Sequence, residues 1–193
     1  MHHDLTLRGH IVTLEPLRPE HADDLCAAIA PDDDVFRWTN TSPRTQKEML
    51  DWIEARSTDR PLGRAIAFAQ RDVRTGRLMG STSLFDWDEA ARAAEIGHTW
   101  LAAPYRRSGA NTEAKLMLLT HAFETMHLAR VQIVTDLRND RSSSAIARLG
   151  ATREGVLRNH RLGFDRKLRD SVYYSFIDRE WASAKPKLAA LLR

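Results

Sequence analysis

Between Tyr105 and Asn111 the chain reads Tyr-Arg-Arg-Ser-Gly-Ala-Asn, and a helical apolar pattern follows at once as far as Met126. A strand-like segment, Ala94 to Leu101, leads into this loop, and Pro104 ends the strand. A helix N-terminus presents unpaired backbone N–H groups and the positive end of its dipole. A loop of small residues lets an anion approach those groups closely, and Arg106 and Arg107 add formal charge. Arg106, Arg107, Ser108, Gly109, Ala110 and Asn111 therefore read as a seat for a pyrophosphate. A second polar cluster, Asn139-Asp140-Arg141-Ser142, opens a short helix 28 residues after Asn111. Within the strand, Glu95 is the candidate general base. Strict alternation places its side chain on one face with Gly97 and Thr99, and puts His98 on the other with Ile96 and Trp100.

Other phosphate and nucleophile chemistries are disfavoured. The chain has no G-x-x-x-x-G-K-[ST], no G-x-G-x-x-G and no G-x-S-x-G. Its eight histidines form no H-x-x-H or H-E-x-x-H pattern, so no metal site is expected. Cys26 is the single cysteine, which excludes an intrachain disulfide. Its helical spacing with Ala22, Leu25 and Ile29 makes it a packed thiol rather than a nucleophile.

The elements that must position these residues follow from periodicity. His10 to Leu14 alternates as a first strand, and Pro19 opens a helix that Asp32-Asp33-Asp34 breaks. Ser42-Pro43 starts a second helix with Met49, Trp52 and Ile53 as its buried stripe. Ala65 to Gln70, Leu78 to Phe85 and Ala94 to Leu101 read as an antiparallel meander. The helix from Asn111 buries Leu116, Leu119, Ala122, Phe123 and Met126, and a strand from Arg130 to Leu137 follows, with Val131, Ile133, Thr135 and Leu137 on one side. Strand, helix and strand in this order imply parallel neighbours. Ser142 to Leu149 is a short helix stopped by Gly150. Gly155 to Leu162 and Ser171 to Ile177 form a hairpin around Gly163-Phe164-Asp165, and the tail from Glu180 is helical with Pro186 interrupting it. The fold class is α/β: a mixed, mostly antiparallel sheet of about seven strands, with a parallel central pair and flanking helices. Ligands in such sheets favour the carboxyl ends of diverging strands. The Arg106 to Asn111 loop and the Asp136 to Ser142 loop both lie there.

With 193 residues the chain suits one domain, spanning 1–193. No apolar run approaches the roughly 20 residues needed to cross a bilayer, and Met1 to Arg8 lacks a signal-peptide core, so a cytoplasmic location is expected. The net charge is only +3, but Arg153 to Arg169 concentrates Arg153, Arg158, Arg161, Arg166, Lys167 and Arg169 against Glu154 and Asp165. That stretch reads first as a solvated hairpin face. It could also attract an anionic cofactor, and direct nucleic-acid binding is the least favoured use because no stacking aromatics are interleaved.

The order of strand, R-x-x-G-x-N loop, helix, N-x-x-S and Leu149-Gly150 resembles the GNAT superfamily of acetyl-CoA-dependent N-acetyltransferases, over nearly the whole chain. Asn111-Thr112-Glu113-Ala114-Lys115, His121-Ala122-Phe123-Glu124, Asn139-Asp140-Arg141-Ser142 and Glu154-Gly155-Val156-Leu157-Arg158 are similar to the RimJ/RimL branch, the ribosomal-protein N-terminal acetyltransferases. The resemblance implies the GNAT fold and acetyl-CoA as co-substrate. Arg106 and Gly109 match the first and fourth positions of the family's pyrophosphate loop, with Asn111 in place of the usual small residue at the last. Contacts to the cofactor are implied at Thr99, Trp100 and Leu101, whose backbone would pair with the pantetheine arm, and at Arg106, Arg107, Ser108, Gly109, Ala110, Asn111, Thr112, Asn139 and Ser142. Ser142 falls where this branch is held to protonate the leaving thiolate. A few residues beyond Val156-Leu157, where a Rim-type glutamate is expected, this chain has His160 and Arg161.

Direct attack of an amine on a thioester needs a base for the amine and an acid for the thiolate. Glu95 and Ser142 are the candidates, each with a structural alternative: a surface or packed carboxylate, and a helix-capping hydroxyl. Trp38, Trp87 and Trp100 either line an acceptor pocket or pack the core and rim. The acceptor expected is a primary amine, such as a protein N-terminus. The alternatives are a small amine such as a polyamine or antibiotic, a non-catalytic acyl-CoA-binding module, and an RNA- or ribosome-binding protein. A homodimer is expected only from the family.

Overall fold

A computed structural model describes residues 5–57, 65–163 and 165–192. Phe164 of the expected hairpin turn lies outside the described residues. Eight strands form one sheet: β1 (Leu7–Arg8), β2 (Val12–Pro16), β3 (Ile66–Asp72), β4 (Leu78–Asp88), β5 (Ala93–Leu101), β6 (Arg130–Asp136), β7 (Thr152–Leu162) and β8 (Leu168–Ile177), in spatial order β1-β2-β3-β4-β5-β6-β8-β7. All neighbours are antiparallel except β5 and β6, which are parallel. This is the expected mixed sheet, with one short strand more than counted from the sequence.

Two apolar layers enclose the sheet. Ala67 and Ala69 of β3 face α1 (Ala22–Ile29) and α2 (Gln46–Ser57), packing with Leu25, Phe36, Met49, Trp52 and Ile53. Ile66 and Phe68, the alternate residues, face the layer that holds Ala114 and Leu118 of α3 (Ala110–Thr120), Ile146 of α4 (Asp140–Arg148) and Trp181 of α5 (Asp178–Ala190). The period-2 pattern of β3 thus serves two cores at once.

Several boundaries differ from expectation. The start of α2 is not at Ser42. Glu48 accepts from the Arg44 and Thr45 N–H groups while Thr45 Oγ1 accepts from Glu48 N–H, so a capping box fixes the helix three residues later. The helix after the loop ends as α at Thr120 and continues as one wide turn, His121–Thr125. Leu137 lies past the end of β6 and is exposed rather than facing inward. Pro186 does not interrupt α5: Pro186 and Ala182 are both exposed, so the carbonyl that loses its partner meets water. Gly150 ends α4 at φ +90° as expected.

Candidate active site

The parallel join is short. β5 and β6 pair only through Ala93, Ala94 and Glu95 against Arg130, Val131 and Gln132. Beyond Glu95 the two strands part, so the backbone from Ile96 to Leu101 faces β6 without pairing to it. On its other side β5 continues to pair with β4, but the register shifts: Ser83 opposes Gly97 and Ser81 opposes Trp100, leaving two residues of β5 opposite Thr82. His98 takes up the extra residue in a left-handed conformation, φ +48°.

This bulge corrects the expected face assignment. A one-residue insertion reverses the alternation beyond it. Glu95 and Gly97 share the α1–α2 face, but Thr99 falls on the α3 face, where its Oγ1 meets Lys115 Nζ at 2.6 Å. Ile96 belongs to the α3-side core and Trp100 to the other. His98, expected on the face of Ile96 and Trp100, is exposed instead, stacked on Phe85 at 4.2 Å, and lines a cavity of about 260 Å³ with Asn40, Thr41, Arg56, Ser83 and Phe85. Desolvation of the stacked ring, then the Arg56 and Arg161 cations, lower its pKa, so its imidazole is neutral at pH 7. Of the three tryptophans singled out, none lines this cavity. Trp100 is buried against Phe36 and Trp52, Trp38 lies between the Arg37 and Arg138 guanidiniums, and Trp87 is half-buried.

Glu95 is 3% exposed. Its Oε2 accepts from Gln132 Nε2 at 3.1 Å and from Arg161 Nη2 at 3.4 Å. Its Oε1 lies beside Gly97: a β-carbon there would sit 3.4 Å from it. The carboxylate therefore has one oxygen anchored and the other lying along the strand toward the bulge. Burial raises its pKa, and Arg161 and Gln132 oppose that rise. The basic hairpin is thus not wholly a solvated face. Arg161 turns in to Glu95, and Arg169 is half-buried with its Nη1 4.0 Å from an Asp136 carboxylate oxygen, while Arg153, Arg158, Arg166 and Lys167 stay exposed.

At the carboxyl end of β5 the loop closes as a short 3-10 turn, Ala103–Tyr105, and two left-handed residues, Arg107 at φ +62° and Gly109 at +86°. The first helical bond of α3 runs from Glu113 N–H to the Gly109 carbonyl, so the N–H groups before it point out of the helix end. The two arginines are not equivalent. Arg106 is tied to the buried Asp32 carboxylate and donates from Nε to the Leu101 carbonyl at 3.2 Å. Arg107 is exposed. Ser108 donates to the Tyr105 carbonyl at 2.7 Å, and Thr112 Oγ1 accepts from Arg148 of α4 at 3.1 Å. At the carboxyl end of β6, Asn139 Oδ1 caps α4 by accepting from Ser142 N–H at 3.0 Å. The Asn139 carbonyl is therefore engaged in the helix, and Ser142 sits half-buried in its first turn. Both loops border the gap between β5 and β6.

Two polar residues of the Asn111-Thr112-Glu113-Ala114-Lys115 motif are buried, which the motif did not imply. Lys115, 3% exposed, donates to Thr99 and Thr82 from the α3 side. Glu113, 4% exposed, accepts the backbone N–H groups of His10, Ile11 and Val12 at 2.7–2.8 Å. Both sat in plain view as polar residues at helical spacing with Ala110, Ala114 and Leu118, which is the signal that could have placed them inside.

Residues 12–152 match the family described as acetyltransferase (GNAT) domain. The chain belongs to the GNAT acetyltransferase family. It is an acyltransferase, as its motifs implied. A Bacillus subtilis protein named “Putative ribosomal N-acetyltransferase YdaF” is 38% identical over 110 residues, 57% of this chain and 59% of that protein's length. A GCN5-related N-acetyltransferase from Brucella melitensis shares the fold with a TM-score of 0.90 and 28% identity, over 98% of this chain and 86% of its own. Mycobacterium smegmatis RimJ, solved with CoA-disulfide, shares the fold at 0.82 and 23% identity, over 93% of this chain and 88% of its own. Among the described residues no helix is long and apolar enough to cross a membrane, and no cluster of three or more His, Cys, Asp or Glu side chains could hold a metal ion.

Proposed function

We propose that this protein is a RimJ/RimL-like N-acetyltransferase that moves the acetyl group of acetyl-CoA to a primary amine, such as a protein N-terminus. The observation that carries the reading is the early parting of β5 and β6 beside a helix N-terminus. The unpaired backbone of Ile96 to Leu101 can receive an extended pantetheine arm as a further strand, with Thr99, Trp100 and Leu101 as its partners. The pyrophosphate falls to the N–H groups of Ser108 to Thr112 and to Arg107, while Arg106 serves by bracing the loop against Asp32. Asn139 and Ser142 close the gap from the β6 side. The family's use of acetyl-CoA and the CoA adduct seen in RimJ support the co-substrate, and the name of the B. subtilis relative supports a protein acceptor.

The amine enters on the α1–α2 face, next to the bulge. Its nitrogen attacks the thioester carbon, the C–N bond forms and the C–S bond breaks. Glu95 takes the amine proton through its uncommitted Oε1, directly or by one water. A backbone N–H of the parted segment polarises the carbonyl. The Ser142 hydroxyl gives a proton to the departing thiolate and recovers one from solvent. A raised Glu95 pKa brings the base nearer to working pH.

The test is CoA-thiol release with acetyl-CoA and a panel of N-terminal peptides and small amines. Amine-dependent release is expected, lost by a factor of about 10² to 10⁴ in Glu95→Gln. Acetyl-CoA, and not ATP, is expected to raise the thermal midpoint. No rise at saturating acetyl-CoA would defeat the reading. A small-molecule acceptor is the second reading, favoured by the modest 260 Å³ of the cavity beside His98.

A further inference from the structure

On the reading above, the acceptor amine approaches through the cavity beside His98, and the walls of that cavity have an unmet demand. Arg56, in the last turn of α2, lies over the Trp52 ring at 3.8 Å and donates from Nη1 to the Trp52 carbonyl at 3.0 Å. Its Nε is buried and without a hydrogen-bond partner. Among the described residues no carboxylate pairs with it, and burial alone lowers its pKa to about 10. In the same lining Ser83, 2% exposed, has an Oγ likewise without a partner. Both side chains line the same 260 Å³. Buried donors normally find acceptors, and leaving them unpaired is costly.

The electrostatics point the same way. Among the described residues the lining contains no Asp or Glu. His98, the other titratable residue of the described lining, is neutral at pH 7 and feels both Arg56 and Arg161. Arg161 has Glu95 as its partner, whereas Arg56 has none among the described residues. On its described residues the cavity is therefore a positive, donor-lined concavity at the end of the acceptor path. A guanidinium fork matches a carboxylate in shape and charge.

We propose that this cavity selects amine acceptors that carry a carboxylate, read by Arg56 with Ser83 as a second donor. A polycationic acceptor, a polyamine or an aminoglycoside, is repelled by the same walls. The carboxylate can be an acidic side chain next to a peptide N-terminus or the free carboxylate of an amino acid or dipeptide. The chemistry is shared and the arms of the test separate them.

Initial rates are measured with acetyl-CoA and matched acceptors: Ser-Glu-Ala-amide against Ser-Gln-Ala-amide, Ala-Ala against Ala-Ala-amide, and spermidine. The carboxylate member of at least one pair is expected to lead in kcat/KM by about tenfold or more, with spermidine poorest. The ratio is expected to collapse toward one in Arg56→Gln and to survive in part in Arg56→Lys. Stabilisation of each variant by acetyl-CoA shows that it is folded. The Arg56 Nε–H resonance, followed by ¹⁵N NMR in the absence of acetyl-CoA, is expected to move with the carboxylate peptides and not with their amides.

Equal kcat/KM within both pairs, or preference for spermidine, overturns carboxylate selection and leaves the acetyltransferase reading standing. A wild-type ratio in a folded Arg56→Gln overturns the role of Arg56. Absence of thiol release with every amine tested, together with no stabilisation by acetyl-CoA, overturns the reading of the site instead. In that case an Nε–H resonance that ignores carboxylates overturns the proposal as well.

Discussion

Lys115 Nζ lies 2.6 Å from Thr99 Oγ1, buried beneath the strand whose bulge shapes the active site. Thr82 Oγ1 accepts a second bond at 3.1 Å, and the two threonine hydroxyls bond each other at 2.8 Å. Among the described residues no carboxylate balances this amine, and burial pushes its pKa down to about 7. An unfolded lysine titrates near 10.4, roughly. Between these values the unfolded chain holds the extra proton, so stability rises with pH from about 7 to about 10. Below about 7 the penalty for burying the charge is fully present. Lys115→Met removes this titration and leaves the two threonines bonded to each other. The difference in denaturation midpoint between variant and parent is expected to favour the variant most near pH 6 and to shrink toward pH 10. A difference that does not vary with pH would refute a depressed Lys115.

Arg161 and Glu95 make a second prediction about pH, this time in rate. Burial raises the Glu95 pKa, and Arg161 is the largest influence holding it back. A base must be ionised to work, so kcat/KM falls as pH drops through the Glu95 pKa. Arg161→Ala is expected to move this acid limb to higher pH, and Glu95→Gln to abolish the limb with most of the rate. An acid limb unmoved in Arg161→Ala would assign the base elsewhere.

The order of elements and the two loops facing the cleft were legible because periodicity, Pro104 and Gly150 act locally. Side-chain direction along β5 was not. Glu95 and Thr99 alternate onto one face in any regular strand, and only the extra residue at His98 separates them. That insertion is set by pairing with β4, which no local pattern reveals. Glu113 and Lys115 escaped for a related reason. Their partners lie about 100 residues away in β2 and its preceding turn, or across β4 and β5, so the acceptors that make burial tolerable belong to other elements.

Ser142 and Asn139 share a helix start but do different work, and mutation separates them. Asn139 supplies the cap, accepting from Ser142 N–H. Asn139→Ala is expected to destabilise the fold by about 1 kcal/mol. Ser142 contributes its backbone to that cap, so Ser142→Ala keeps it. On the proposed role as proton donor, Ser142→Ala lowers kcat by about 10² with the thermal midpoint nearly unchanged. A lowered midpoint with unchanged kcat would make the hydroxyl structural.

Gly109 tests the anion seat at its most constrained residue. Its φ of +86° is a conformation that side chains rarely adopt, and a β-carbon there would lie 2.9 Å from Ile11 Cδ1. That methyl is the far end of a side chain and can turn away, so the left-handed backbone carries the cost. Gly109→Ala is expected to cost about 1–2 kcal/mol of stability from the left-handed backbone alone. Relieving the strain would rotate the 108–110 peptides, the N–H groups proposed to meet the pyrophosphate. Acetyl-CoA affinity is therefore expected to fall more than the affinity for a truncated pantetheine thioester lacking the phosphates. Calorimetric titration of parent and variant with both ligands checks this. Equal losses for the two would place the pyrophosphate away from this loop.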